Sequence, residues 1–192
     1  MTVIEIFSEL SDHMLEGLMT HEQLANYYDF LGLSGYKKCH EYHFYDEMLG
    51  YRKVQNYFIN HYNKLIPESI RDFSNIIPAA WYEVARKDVD AATRSAAVKT
   101  GMELWVKWEQ DTKKFYEKKF KDLMDLGEVA AAMFVKDLLL HTTKELEKAE
   151  KYWIRKKAIS YNMDVIIEEQ KEKHEKYKCC ICKLFEDKKR EH

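Results

Sequence analysis

Residues 40–51 read HEYHFYDEMLGY, and the interpretation of this stretch decides the fold and the function of the chain. Two histidines and three acidic residues are packed among four aromatic ones. Either they form the metal-binding inner face of a helix, or they form a polar surface. The choice depends on whether other segments carry carboxylates at matching heights.

The composition favours long helices. The chain has 192 residues, enough for one domain with a sizeable core, and only 6 are Gly and 2 are Pro. Because these two residue types interrupt helices, their scarcity predicts long helices with few tight turns. No stretch keeps the alternation of apolar and polar residues that is typical of a strand. We therefore predict an all-α protein.

Charge and cysteine usage exclude several partners. With 31 basic and 33 acidic residues, the net charge of −2 gives no electrostatic signature for nucleic acid or an anionic membrane. The start, MTVIEIFSEL, lacks the features of a secretory signal, and no apolar run reaches the roughly 18–20 residues of a membrane span. Three of the four cysteines crowd the C-terminal segment, a poor pattern for a disulfide framework. These features predict a cytoplasmic protein.

Breaks in the apolar pattern define the predicted elements. The four main helices are predicted over residues 4–31, 36–65, 100–125 and from 128 to beyond 155. GLSG at 32–35 forms the first turn, and both prolines place a connection at 66–80, with a helical or partly helical continuation at 81–100.

The C-terminal part has a different composition. Residues 156–178 are mostly charged, with one short apolar group at Val165-Ile166-Ile167. They predict a separate helix that docks through this group or pairs with another subunit. We predict a helical-bundle domain at 1–155, followed at 156–192 by a charged helix and a cysteine-containing tail.

Each of the four main helices carries one glutamate in the middle of an otherwise apolar face. Steps of three and four residues stay on one face of a helix, and on the third helix this series is Met102, Trp105, Glu109, Thr112, Tyr116, Phe120 and Leu123. The corresponding glutamates on the other helices are Glu22, Glu47 and Glu145. A buried carboxylate is costly unless it is paired or ligated, so one on every helix indicates a shared cation.

The heights of the glutamates are regular. Glu22 and Glu47 are equally distant in sequence from the first predicted turn, and Glu109 and Glu145 are equally distant from the turn around Gly127. In antiparallel hairpins, each pair is therefore expected to lie level.

Two histidines add a second regularity. His43 precedes Glu47 by four residues, and His141 precedes Glu145 by four. Each histidine is therefore expected one turn below its glutamate on the same face.

These segments resemble the ferritin-like di-iron carboxylate superfamily, which includes ferritins and rubrerythrins. Bundles of this kind place a Glu on each of two helices and a Glu-x-x-His motif on each of the other two. The likeness covers roughly residues 10–155, through HEQLANYY at 21–28, GYKKCHEYHFYDEMLGY at 35–51 and the stretch at 109–150. In the second segment, Asp46-Glu47 stands where the family has paired acids.

The resemblance implies a ferritin-like antiparallel four-helix bundle with a long crossover between its second and third helices and an extra C-terminal helix. It also implies a di-metal site for iron or manganese, oxidation of Fe(II) by oxygen or peroxide, and a homo-oligomer. The implied metal ligands are Glu22, Glu47, Glu109, Glu145, His43 and His141. Among them, Glu47 and Glu145 are the candidates for bridging two metal ions.

The sequence departs from the family pattern at the histidines. The family's histidine follows the second-helix glutamate by three residues, where this chain has Gly50. His-x-x-x-Glu pairs would have to replace Glu-x-x-His on both helices. The alternative is a metal-free ferritin-like bundle that acts as a structural or protein-interaction module.

The C-terminal segment contains one Cys-x-x-Cys motif, from Cys179 to Cys182. Rubrerythrin-like proteins follow the bundle with an iron site made from two such motifs, and a tetrahedral site needs four ligands. Two chains could donate one motif each, or His174 and His192 could complete the set. Otherwise the segment is a relic or a reducible tail.

Overall fold

The computed structural model of the chain describes residues 1–67 and 73–187, which contain five long helices and no strand. The helices are α1 (Val3–Phe30), α2 (Ser34–Tyr62), α3 (Ala91–Asp125), α4 (Val129–Ala158) and α5 (Met163–Asp187). Two short 3-10 helices, Ala79–Glu83 and Arg86–Asp88, lie between α2 and α3. The all-α prediction is confirmed. None of the described helices is long and apolar enough to cross a membrane.

Local side-chain chemistry explains where the helices begin. At the start of α1, the Thr2 amide donates to Glu5 Oε2 at 2.6 Å, and Thr2 Oγ1 accepts from the Glu5 amide at 3.4 Å, forming a capping box. Asp90 caps α3 by accepting a 2.7 Å hydrogen bond from the Thr93 amide. Gly127, with φ of +76°, allows the left-handed conformation in the tight turn between α3 and α4.

Two helices begin earlier than predicted. α2 begins at Ser34, so the first turn is centred near Gly32 rather than between Ser34 and Gly35. α3 begins at Ala91 rather than near residue 100, because Asp90 caps it and alanine has the highest helix propensity.

The last helix is longer than predicted. α5 continues through Asp187, so the Cys179-x-x-Cys182 motif is on a helix instead of in a separate tail. The side chains of both cysteines, and all of His192, lie outside the described part of the chain. Cys180 is a partly buried free thiol.

The helices pack as two antiparallel hairpins, α1–α2 and α3–α4, with α5 along α2. One apolar cluster fills the end of the bundle that α5 covers, and its members include Leu24, Tyr28, Leu31, Tyr36, Val98, Met102, Trp105 and Ile166. The other end is filled by a second cluster that includes Phe7, Leu10, Met14, Val54, Phe58, Tyr116, Leu123 and Phe134. The buried polar side chains include three histidines and Glu109, on α1, α2 and α3.

α5 approaches the beginning of α2 very closely. The Gly35 amide donates a 3.2 Å hydrogen bond to Gln170 Oε1, and a Cβ atom at residue 35 would lie 2.0 Å from the Gln170 backbone oxygen. Glycine is therefore required at this crossing, because any side chain would collide with the backbone of α5.

Candidate metal centre

The inward face of α1 is offset by one residue from the predicted one. Its buried positions at steps of three and four are Met14, Gly17, His21, Leu24 and Tyr28. Glu22 is only partly buried, and its Oε1 accepts a 3.1 Å hydrogen bond from Asn26 Nδ2 on the outer side. The inward place predicted for Glu22 is therefore taken by His21.

α1 and α2 also pair at a different height from the predicted one. A Cβ atom at Gly17 would lie 2.9 Å from Glu47 Cδ and 3.1 Å from Trp108 Cζ2, so Glu47 lies beside Gly17. The prediction that Glu22 is level with Glu47 is wrong, because the turn is centred near Gly32. The missing side chain at Gly17 makes room for the Glu47 carboxyl group.

α3 has the predicted inward face, with Glu109 at its centre. Glu109 is 4% exposed, and its Oε1 accepts a 3.0 Å hydrogen bond from Trp105 Nε1. His21 Nε2 lies 3.9 Å from the same oxygen, too far for a hydrogen bond. Glu109 and His21 thus face each other across the contact between α3 and α1.

Glu145 joins α4 to α2. Its Oε2 lies 3.6 Å from His43 Nδ1 and 3.0 Å from Lys148 Nζ. The glutamate side chain is 16% exposed and the His43 side chain 3%, so this contact is in the interior. Lys148 already supplies one positive charge to the carboxylate.

His141 does not lie on the inward face of α4, contrary to the prediction. Its side chain is 54% exposed, and Nε2 lies 3.4 Å from Asp46 Oδ2 on α2. The predicted positions Ala131, Phe134, Leu138 and Ala149 of α4 are buried, but Thr142 takes the inward place that was predicted for His141. His141 and Asp46 therefore contact each other where α2 and α4 face solvent.

Three buried histidines form the centre of the site. His21 Nδ1 and His40 Nδ1 are 3.1 Å apart, and the rings of His21 and His43 stack with centroids 4.9 Å apart. The Nε2 atoms of His40 and His43 have no hydrogen-bond partner. Burial lowers the pKa of His21 to about 3 and lowers the pKa of His40 and His43 well below the usual value. All three imidazoles are therefore neutral at pH 7.

The carboxyl groups repel one another in this interior. Burial raises the pKa of Glu109 to about 8, opposed by the Trp105 hydrogen bond and reinforced by the charge of Glu145. Burial also raises the pKa of Glu47 well above its usual value, with the charges of Glu109, Asp46 and Glu145 adding to the shift. A carboxylate held in this way is stabilised by a cation.

An open cleft connects the site to solvent between α2 and α4. It has a volume of about 460 Å³. Glu47, Tyr116 and Met14 lie among its lining residues, together with Asp46 and His141. The cleft is wide enough for ions and small molecules to reach Glu47.

The donor set fits a divalent metal, although its side chains are not yet arranged as ligands. Among the described residues, no three His, Cys, Asp or Glu side chains already surround one point at coordinating distance. However, His43 Nε2 is a buried ring nitrogen without a partner, and the carboxylates raise one another's pKa. Buried imidazoles and carboxylates that lack compensation are the groups that a bound cation would satisfy.

His21, His40 and Lys148 were not among the site residues predicted from the sequence. His21 belongs to the series Gly17, His21, Leu24 and Tyr28, which has the same helical spacing as the series chosen around Glu22. The inward histidine could have been found from this second series, but it contains a glycine and is less apolar.

Two solved structures share this fold. An Archaeoglobus fulgidus ferritin engineered into a closed form matches with a TM-score of 0.72 at 12% identity, covering 89% of this chain and 93% of that chain. A humanized archaeal ferritin matches with a TM-score of 0.71 at 13% identity, covering 89% of this chain and 94% of that chain. No family model and no curated protein matches the sequence. The chain therefore has a ferritin-like bundle with an extra C-terminal helix, as predicted.

Proposed function

We propose that this ferritin-like chain binds divalent transition-metal ions, iron(II) before manganese(II), at the cluster between its two hairpins. The observation that carries the proposal is a pair of His–Glu contacts across the bundle, joined by the stacking of His21 on His43. Each helix contributes one donor side chain: His21 of α1, His43 of α2, Glu109 of α3 and Glu145 of α4. The ferritin-like fold supports the same conclusion.

The ligand set that we propose keeps most of the residues predicted from the sequence. Glu109, Glu145 and His43 would bind metal in the core, and Glu47 would bind it at the floor of the cleft. His21 replaces Glu22, whose carboxylate is engaged by Asn26 on the outer side of α1. His141 stays in the proposal as a residue of the cleft mouth, beside Asp46.

The charges of the site suit two divalent ions. Asp46, Glu47, Glu109 and Glu145 interact electrostatically with one another, while Lys148 supplies a single positive charge. With all four carboxylates ionised, three negative charges remain, and two divalent ions would more than neutralise them. Carboxylate and imidazole donors together suit iron and manganese.

If Fe(II) is the substrate, the cleft supplies a route for oxygen or peroxide. Two Fe(II) ions give up one electron each. With two protons, the two electrons reduce oxygen to hydrogen peroxide, or hydrogen peroxide to two water molecules. Glu109 is protonated near neutral pH in the metal-free protein, because burial raises its pKa to about 8. Burial raises the pKa of Glu47 as well. Metal binding therefore releases a proton from Glu109.

The experiment is an anaerobic Fe(II) titration of the full chain, followed by exposure to air. Glu109→Gln combined with Glu145→Gln should weaken Fe(II) binding by at least about tenfold and slow the oxidation, because buried charged ligands are removed. Glu117→Gln, on the exposed side of α3, is the matched control and should bind as the unchanged protein does. Metal content measured after purification without chelator is the second readout.

A metal-free interaction module is the second candidate, and two contacts favour it. Lys148 pairs with Glu145 at 3.0 Å, and Trp105 donates to Glu109 at 3.0 Å, so both carboxylates already have a partner. This reading predicts no bound metal and higher stability of the double glutamine variant. Purified protein without iron or manganese, and without Fe(II) binding in the titration, would establish it.

Self-association and a cytoplasmic location belong to the same proposal. Val129, Met133 and Leu140 are exposed apolar residues of α4, a supporting feature for contact with another copy. Light scattering of the purified chain tests self-association. The free thiols Cys39 and Cys180 agree with a reducing compartment.

A further inference from the structure

The two sides of the candidate metal centre differ in ligand chemistry. Beside the cleft, the donors are mainly the oxygens of Asp46 and Glu47. Deeper in the bundle, two imidazoles, His21 and His43, stand beside one carboxylate, Glu109. The deeper side is therefore rich in nitrogen donors.

His40 holds His21 in a defined orientation. The 3.1 Å contact between their Nδ1 atoms needs a hydrogen on one of them. When His21 Nδ1 carries this hydrogen and donates to His40, His21 Nε2 keeps its lone pair and faces Glu109. A metal-bound histidine commonly donates its second ring N–H to a partner, and His40 is placed to accept it.

We propose that His21, His43 and Glu109 form a nitrogen-rich half-site for one borderline metal ion, Fe(II), Co(II) or Zn(II), in preference to Mn(II) or Mg(II). In this half-site, His40 is the positioning residue for His21. The inference rests on the proposed metal-binding function and specifies the metal class of one half of the site. Imidazole donors favour iron, cobalt and zinc, whereas sites made of carboxylate, carbonyl and water oxygens favour manganese and magnesium.

Small side-chain movements would assemble the half-site. Ligand atoms about 2.1 Å from one metal ion lie roughly 3–3.5 Å apart, and His21 Nε2 is 3.9 Å from Glu109 Oε1. His43 can present either ring nitrogen, since Nδ1 faces Glu145 at 3.6 Å and Nε2 has no partner. The His21–Glu109 pair thus needs to close by less than 1 Å, and His43, stacked on His21, would turn Nε2 toward the same ion.

If the buried histidines only filled space in the core, their ring nitrogens without hydrogen-bond partners would have no explanation. A buried polar atom without a partner costs free energy, and both His40 Nε2 and His43 Nε2 are in that state. Apolar rings would fill the same space without that cost. Coordination would satisfy His43 Nε2. His40 contacts His21 through Nδ1, so its Nε2 keeps no partner in the half-site.

Co(II) is the probe, because it takes the place of iron or zinc and shifts the proton resonances of the imidazoles that bind it. The full chain loaded with Co(II) should show one shifted, solvent-exchangeable N–H resonance for each bound imidazole, from His21 and His43. Absence of such resonances from Co(II)-loaded protein overturns the half-site. This readout needs no variant.

Two substitutions at residue 40 separate positioning from packing. His40→Phe removes the acceptor for His21 and should weaken Co(II) binding by about 10- to 100-fold. His40→Gln retains a carbonyl oxygen and should restore affinity to within a few-fold. His61→Gln, on the exposed end of α2, is the control. Equal Co(II) affinity in all three folded variants overturns the role of His40.

A substitution at residue 21 tests selectivity. His21→Glu should lower the preference for Co(II) over Mn(II) by at least about tenfold, because it exchanges nitrogen for oxygen. An unchanged preference in protein that still binds metal overturns the inference but leaves the proposed function standing. If the unchanged protein binds neither Co(II) nor Fe(II), the proposed function itself fails.

Discussion

His43 Nδ1 lies 3.6 Å from Glu145 Oε2, and this contact joins the two hairpins of the bundle at mid-height. The imidazole is contributed by α2 and the carboxylate by α4. Neither partner is charge-neutralised by the other, because burial keeps His43 neutral by lowering its pKa. Lys148 Nζ, 3.0 Å from the same carboxylate oxygen, supplies the cation instead.

Removing this lysine should make the site a better metal site. Lys148→Met eliminates the ammonium that competes for Glu145, so Fe(II) or Co(II) affinity should rise by about two- to fivefold, the value of a partly exposed ion pair. Without metal, the variant should unfold at a lower temperature, because Glu145 loses its partner. Titration and thermal unfolding measure the two effects. Lys151→Met, on the exposed side of α4, is the control, and equal affinity in both variants would contradict the idea.

The stability of the metal-free protein should fall as the pH rises from about 6.5 to 8. The Glu109 pKa is about 8 in the folded protein, against 4.5 as the ordinary value, so the folded state binds the proton more tightly. The stabilisation is fully present below pH 4.5 and is lost as the pH rises through 8.

The buried histidines act in the opposite direction at lower pH. The pKa of His21 is about 3 in the folded state and 6.5 ordinarily, so this group destabilises the fold as the pH falls below 6.5. Above pH 6.5 only the carboxyl effect remains, on the order of 1–2 kcal/mol. Thermal unfolding in chelator should show the decline, and Glu109→Gln should flatten it. A decline of the same size in Glu109→Gln would assign the effect to another group.

A methyl group at Gly17 should reduce metal binding without unfolding the protein. The added Cβ would lie 2.9 Å from Glu47 Cδ and would displace this carboxyl group. Alanine also favours the helix by up to about 1 kcal/mol over glycine, so the net change in stability should be small. Metal titration and thermal unfolding test this combination.

Gly50→Ala is the matched control for that substitution. Its Cβ would meet the flexible thioether of Met14, 3.0 Å from Sδ, rather than a ligand. Metal affinity should therefore stay near that of the unchanged protein. Weaker binding in Gly50→Ala than in Gly17→Ala would show that cleft width, not the position of Glu47, sets the affinity.

Gly35→Ala should detach α5 from α2. Its Cβ would lie 2.0 Å from the backbone oxygen of Gln170, so the two helices would have to separate, at a cost of about 2 kcal/mol or more. Hydrogen exchange should become faster along α5 and little changed in α3. Ser34→Ala, at the adjacent exposed position, is the control. Unchanged exchange in α5 would mean that the crossing tolerates a side chain.

The bundle could be predicted from the sequence because its helical signals are long and uninterrupted. On α3, the apolar series around Glu109 contains seven residues at regular steps, and all of them except Phe120 are buried. On α1, two overlapping series compete, and the less apolar one, through Gly17 and His21, faces the core. This face packs inward because Gly17 leaves space for the Glu47 side chain of α2. Such a contact between helices cannot be read from the sequence of α1 alone.

The positions of the candidate ligands depend on the helical phase to within one residue, and the sequence predicted these positions only in part. A shift of one position rotates a helical side chain by about 100°. On α1 this shift places His21 inward instead of Glu22. On α4 most of the predicted face is buried, but His141 lies at the mouth of the cleft. Glu109, whose helix had a single consistent face, was placed correctly.

The cleft between α2 and α4 sets the route by which metal ions would enter and leave the bundle. It brings solvent to Glu47 along a side wall, instead of along the bundle axis. A small rigid compound bound at the mouth of the cleft would obstruct exchange without reaching the donors in the core. Metal would then dissociate slowly from loaded protein and enter empty protein slowly, although the equilibrium affinity of the core donors for metal had not changed.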